Sequence, residues 1–391
     1  MTRGLEMNRW RSFPFLRLFL AVAMAAGVSL AVAAPPAGAV TVGAVFTETN
    51  TSPENFIQVF NRDVNGTLTM AGSFSTGGSG LPSSPPFGFP VVDSQGSVVL
   101  NDARTLLFAV NAGSNTVSSF AVHHDNSLDL VEQKGSKGSA PISLTVKGHY
   151  LYVLNEDSGD IAGYSVDSRG HMTPLAGSVQ SLAAPSLPAQ IGFDSLGRTL
   201  VVTERGNNTI EIFPVGPNGV AGSPTTHPST GPTPFGFAFT PRNQLLVSNS
   251  PNPPTSGSVS SYSVPFLHTD LTPLDMKLTH QLATCWLVTT PSGRYAYATS
   301  PVTRAVTGLR VASDGTLQLL DSSGLSASTA GAALDEAMSR DGRFLYVLNP
   351  TDLTFTASQI DTFKINADGS LTALGSTPAS LPGGSSGLAV K

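Results

Sequence analysis

RDGRFLYVLN, residues 340–349, decides the fold. An Asp-Gly turn, whose glycine can take the positive φ of a tight hairpin, leads into an apolar run that stops at a polar amide. The same cadence returns along the chain. Short apolar segments end at Asn50, Asn111, Asn155, Glu204, Asn249, Ser300 and Asn349, at spacings of 61, 44, 49, 45, 51 and 49 residues. Related turns precede most of them, as in Asp194-Ser195-Leu196-Gly197-Arg198 and Thr290-Pro291-Ser292-Gly293-Arg294. An alternating segment follows, such as Thr209-Ile210-Glu211-Ile212-Phe213. A second turn comes next, clearest at Asn65-Gly66-Thr67-Leu68, Asp314-Gly315-Thr316-Leu317 and Asp368-Gly369-Ser370-Leu371.

Four strands per unit and a period near fifty describe the blade of a β-propeller. The expected fold is all-β, a seven-bladed β-propeller with four antiparallel strands per blade. The chain ends in Gly387-Leu388-Ala389-Val390, which has the character of an innermost strand. Residues 40–46, by contrast, begin directly with a second strand. The C-terminal strand should therefore close the first blade and leave no blade face open. The stretch 71–90, rich in Gly, Ser and Pro, reads as an irregular loop between the first and second blades.

Composition agrees with this reading and excludes others. Only 12% of the 391 residues are charged, with 39 glycines and 29 prolines, which suits short strands and many turns. A net charge of -5, spread without runs, offers no basic stripe for nucleic acid. The N-terminus differs from the rest. Arg3, Arg9, Arg11 and Arg17 precede an apolar run over 18–34, followed by Ala37-Gly38-Ala39. This is the pattern of an export signal cleaved after Ala39, giving a periplasmic or extracellular propeller over 40–391. The alternative is a leader retained as a membrane anchor, the only route to a membrane that the sequence offers. The single cysteine, Cys285, precludes an internal disulfide.

At Pro234-Phe235-Gly236-Phe237-Ala238-Phe239, Cys285-Trp286, Thr203-Glu204-Arg205-Gly206-Asn207-Asn208-Thr209-Ile210 and Val110-Asn111-Ala112-Gly113-Ser114-Asn115, the chain resembles the lactonase-type seven-bladed propellers. That family includes the bacterial propeller 6-phosphogluconolactonase and the fungal 3-carboxy-cis,cis-muconate cyclase. The resemblance spans residues 40–391. It implies a carboxylated or phosphorylated lactone bound on one face of the ring by histidine, acidic and arginine side chains. The chain departs from the family's fourth blade: Pro188-Ala189-Gln190 stands where Pro-His-x-His is expected, and Glu204-Arg205-Gly206-Asn207-Asn208 where an Asp-x-Gly-x-Asp is expected.

In a propeller, the residues after each second strand and before each first strand gather around one mouth of the channel. Gln95, Asn111, Asn155, Glu156, Gln190, Glu204, Arg205, Asn249, Cys285, Trp286, Asp335, Glu336 and Asn349 fall in this set. Glu204 is the candidate base for activating water, because it interrupts a run of asparagines. Arg205 is the candidate partner for a substrate carboxylate. Gln95, Asn111, Asn155, Gln190, Phe235, Asn249, Trp286 and Asp335 are the candidate ligand-binding residues. The recurrent asparagines also fit a structural role, bonding neighbouring backbone at strand ends.

Two functions are expected. One is an exported lactonase-like propeller that binds, and hydrolyses, a small carboxylated or sugar-derived lactone. The other is a non-catalytic module that binds a small molecule or a protein partner. Either is read as a monomer without cofactor. The seven histidines lack metal-ligand spacing, so no metal site is expected. Two tryptophans are too few for the tryptophan-rich blades of quinone-dependent dehydrogenases.

Overall fold

Unbroken burial along each second strand, as in Phe344–Pro350 of the last unit, places its alternating side chains against both neighbouring sheets, so the units stack face to face around an axis. The computed structural model describes residues 40–81, 92–251, 255–266, 268–351, 356–378 and 380–391. The expected leader, its cleavage site and residues 82–90 of the expected loop lie outside them. Seven antiparallel sheets form, and the described residues contain no helix.

The inner strands are Ser386–Val390, Val98–Leu100, Pro141–Lys147, Pro188–Phe193, Pro234–Phe239, Leu287–Thr289 and Asp335–Met338, in blades one to seven. Blade one has the order outer strand Leu68–Ser75, third strand Phe56–Asp63, second strand Thr41–Glu48, inner strand Ser386–Val390. Val45 pairs with Val390 and Phe46 with Ala389, so the C-terminal strand does close the first blade. The stretch expected to be irregular from residue 71 is strand as far as Ser75. In blades three, six and seven the outer strand is broken in two, with short second pieces at Gln180–Ser181, Ala327–Ser328 and Leu381–Pro382. These breaks fall on the outer edge, where interruption is cheapest.

Each pair of adjacent blades encloses its own apolar cluster. Phe46, Ile57 and Val59 meet Leu107 and Phe120 between blades one and two, and Val45, Phe60 and Val390 meet Tyr346 and Leu348 between seven and one. A repeated hydroxyl bond reinforces the stacking. Tyr152, Tyr297 and Tyr346, on second strands, donate to the carbonyls of Gly219, Gly369 and Gly66 in the outer turn of the next blade, at 2.7, 2.7 and 3.2 Å. Gly369 has a φ of 90°, and a Cβ there would lie 2.6 Å from the Tyr295 ring, so the turn needs glycine for both conformation and space.

Register corrects one reading. Inner-strand Pro141, Pro188 and Pro234 face Asn155, Glu204 and Asn249, and in blade one Ser386 faces Glu48. The repeated polar position of the first blade is therefore Glu48 rather than Asn50. The turn after it is longer than in blade two: Glu48 faces Ile57, whereas Asn111 faces Thr116. Asn50 sits within that longer turn at a φ of 50°. Glu204 is thus one of two glutamates at the repeat position.

Candidate ligand-binding site

The residues nominated from sequence divide into three groups. The first is the strand-end set, which is absorbed by the blades. The Asn111 amide donates to Ser118 and Thr116 at 2.8 and 3.2 Å, and its carbonyl accepts from Thr76 and Asn55. Asn155 donates to Asp160 at 2.8 Å, and Asn249 to Ser258 and Ser260 at 3.1 and 2.9 Å. Glu204 behaves as a member of this set. Its Oε2 accepts from Asn207 and, at 3.0 Å, from Thr209, while Oε1 has no partner among the described residues. Burial, aided by the nearby charge of Glu211, pushes its carboxyl up to about 7.

The second group closes one end of the axis. Ala189, Phe235, Ala283, Cys285, Trp286 and Leu334, from four blades, form an apolar cluster. The Trp286 indole donates to the Ser94 carbonyl at 2.8 Å. The Gln95 amide bridges the backbone of Leu287, donating at 2.8 Å and accepting at 3.0 Å, and so links blades two and six across the axis. A Cβ at Gly236 would lie 2.3 Å from the Gln95 Oε1, so glycine is required there by close approach. Gln190 spans the backbone of Phe237 in the same way. Burial pushes the Cys285 thiol up to about 12, which makes it a packing residue rather than a nucleophile.

Arg205 lies over this cluster and diverges from Glu204, with which it shares no partner. Its guanidinium pairs with Asp93 and, at 3.1 Å, with Glu156, donates through Nε to the Leu187 carbonyl, and stands 5.2 Å from the Phe235 ring centre. Phe235 in turn meets Trp286 edge-on, with centroids 5.1 Å apart. Burial raises the Glu156 carboxyl to about 7 even though Arg205 opposes the rise.

The third group reaches an axial cavity of about 860 Å³ lined by the inner strands of all seven blades. It runs from Gln95 and Gln190 to the turns of the inner hairpins at Arg104, Ser195, Pro241, Pro291 and Arg340. Of the ten nominated residues, Gln95, Gln190 and Asp335 line it, as does Glu336. Asp335 Oδ1 accepts from the Glu336 backbone at 2.7 Å. Asp335 Oδ2 and both Glu336 oxygens lack partners among the described residues. Burial pushes Asp335 up to about 8 and Glu336 well above the carboxylate range, with like charge adding to each. Glu48, whose charge also acts on Asp335, is pushed up to about 8 by burial, against hydrogen bonds from Asn55 and Ser386. Among the described residues, no group of three His, Cys, Asp or Glu is placed to hold a metal ion.

Residues 51–186 match the family profile described as lactonase, 7-bladed β-propeller. The chain is a seven-bladed β-propeller that is similar to this family over that span. The matched span ends just before 188–208, where the sequence departs from the family's fourth-blade pattern. Solved structures share the fold of this propeller. The periplasmic gluconolactonase of Pseudomonas aeruginosa is 17% identical, with a TM-score of 0.66 over 87% of this chain and 97% of that one. A Bacteroides fragilis protein provisionally described as a 6-phosphogluconolactonase is 17% identical, with a TM-score of 0.67 over 89% and 97%. A Lactobacillus plantarum protein reaches 0.68 at 14% identity, over 90% and 100%. No curated protein matches the chain in sequence.

Sequence reasoning missed Glu48, Arg104 and Arg340. The signal for Arg104 was present: the left-handed turn residue of the other inner hairpins is Gly148, Gly197, Asn243, Gly293 or Gly342, and only blade two places an arginine there.

Proposed function

We propose that this propeller is exported and holds a small carboxylated or sugar-derived lactone in its axial cavity. The observation that carries this reading is the convergence of Gln95, Gln190, Asp335 and Glu336 on one cavity of about 860 Å³, a size within the range of small-molecule sites. Export rests on the arginine-rich leader with its Ala37-Gly38-Ala39 site.

In hydrolysis, a water oxygen bonds to the lactone carbonyl carbon, the acyl–oxygen bond of the ring breaks, and the ring oxygen takes up a proton. Asp335, when ionised, accepts the water's proton, and a protonated Glu336 supplies one to the leaving oxygen. Glu204 and Arg205 then hold the rim rather than react.

One observation favours the second reading, binding without turnover. The side-chain amides of Gln95 and Gln190 are committed to Leu287 and Phe237 backbone, so they are not free donors for a developing oxyanion. Hydrolysis assays over aldonolactones and muconolactones separate the two. Catalysis predicts turnover that Asp335→Asn lowers at least about a hundredfold in kcat with little change in KM. Binding without turnover predicts thermal stabilisation by these lactones and no hydrolysis. Turnover unaffected by Asp335→Asn but abolished by Glu204→Gln would move the chemistry to the rim.

A further inference from the structure

The cavity is blocked by Trp286 and Gln95 at one end and reaches the inner-hairpin turns at the other, where Arg104 and Arg340 stand. We propose that these two arginines form an oxyanion site at that mouth, opposite the Arg205 rim, and hold the carboxylate or phosphate of the ligand while its uncharged part lies deeper in the channel. This deepens the cavity reading given above and rests on it.

Three observations support the site. Arg104 is the exception among the inner hairpins, a side-chain-bearing residue other than asparagine at a φ of 56°, where five other hairpins place Gly or Asn. L-residues adopt that conformation at a cost, and such local rule-breaking concentrates at functional positions. Arg104 is half-buried, and its Nε donates to the Val390 carbonyl at 2.9 Å, which fixes the side chain and leaves both Nη groups without partners among the described residues. Arg340, on the seventh blade, is exposed and has no hydrogen-bond or ion-pair partner among the described residues. The two guanidiniums repel: burial lowers the Arg104 pKa, and the charges of Arg340 and Arg62 lower it further, with only Asp102 opposing. Asp102 is itself paired with Lys147, at 3.1 Å. Two like charges held at the lip of a cavity, one on a strained backbone, present a fork of donors that a planar carboxylate or a phosphate satisfies.

The test titrates the full chain, calorimetrically, with gluconate, inorganic phosphate and neutral gluconolactone, using wild type and Arg340→Gln. Arg340 makes no bond in the fold, so the variant should melt as wild type does. The site predicts that Arg340→Gln weakens binding of at least one anion tenfold or more and leaves the neutral lactone unaffected. Loss of gluconate binding alone assigns the site to a carboxylate, and loss of phosphate binding alone to a phosphate group. Equal anion affinities in both proteins would overturn the site. Lactone binding without any anion binding would overturn the site and leave the cavity reading intact, whereas binding of none of the three would overturn both.

Discussion

The indole nitrogen of Trp286 donates to the carbonyl of Ser94 at 2.8 Å, joining the sixth blade to the segment that leads into the second across the propeller axis. Both groups are buried, at 2% exposure each. Trp286→Phe keeps a ring in the apolar cluster but leaves the Ser94 carbonyl without its donor. The expected loss is about 1–3 kcal/mol, seen as a fall in melting temperature of roughly 2–6 °C. An unchanged melt would show that the cross-axis bond contributes nothing.

Deleting residues 387–391 removes the strand that closes blade one. Leu388, Ala389 and Val390 are nearly fully buried and pack in the clusters on both sides of that blade. The deletion also exposes the inner edge of Thr41–Glu48. The expected cost is at least about 5 kcal/mol, read by chemical denaturation. A truncated chain that unfolds at the wild-type midpoint would refute the closure.

The blades, their order and this closure could all be read from the sequence, because strand alternation and Gly-based hairpins are local properties. Register in the first blade could not. Asn50 matched the repeat by residue type, but the longer turn before Ile57 shifts the equivalent position to Glu48. The site was legible only in part. That Gln95 and Trp286 lie near the axis followed from the repeat. That they bond to Leu287 and Ser94, each 192 residues away, depends on how the ring closes. The same applies to Arg205, whose partners Asp93 and Glu156 come from other blades and turn a candidate substrate ligand into the centre of an ion-pair network.

That network gives a pH-dependent prediction. Glu156, with a pKa near 7, is held down only by Arg205. Arg205→Gln should let the Glu156 pKa climb further and leave an uncompensated buried charge above it. The variant should lose about 1–3 kcal/mol at pH 8 and distinctly less at pH 5, where Glu156 is protonated in both proteins. Equal losses at the two pH values would mean that Arg205 acts through packing on Phe235 rather than through charge.

The buried acids Glu48 and Asp335 have folded pKa values raised to about 8, above their unfolded values. The folded state therefore binds more protons than the unfolded state between roughly pH 4 and 8. Their contribution is fully favourable below about pH 4, and is lost as pH rises through 8. Melting temperature should decline across that window, and Asp335→Asn should flatten the decline. A melt that rises steadily from pH 5 to 9 in wild type would contradict the raised pKa values.

The central claim is that the ligand lies inside the axial cavity, on the Asp335 side of the Trp286–Gln95 barrier. A crystal structure of the full chain soaked with gluconate tests it directly. The expected result is density between Asp335 and the inner-hairpin turns, with the Trp286–Ser94 and Gln95–Leu287 bonds intact. Density on the outer side of Trp286, against Arg205 and Glu156, with the cavity empty, would contradict the account.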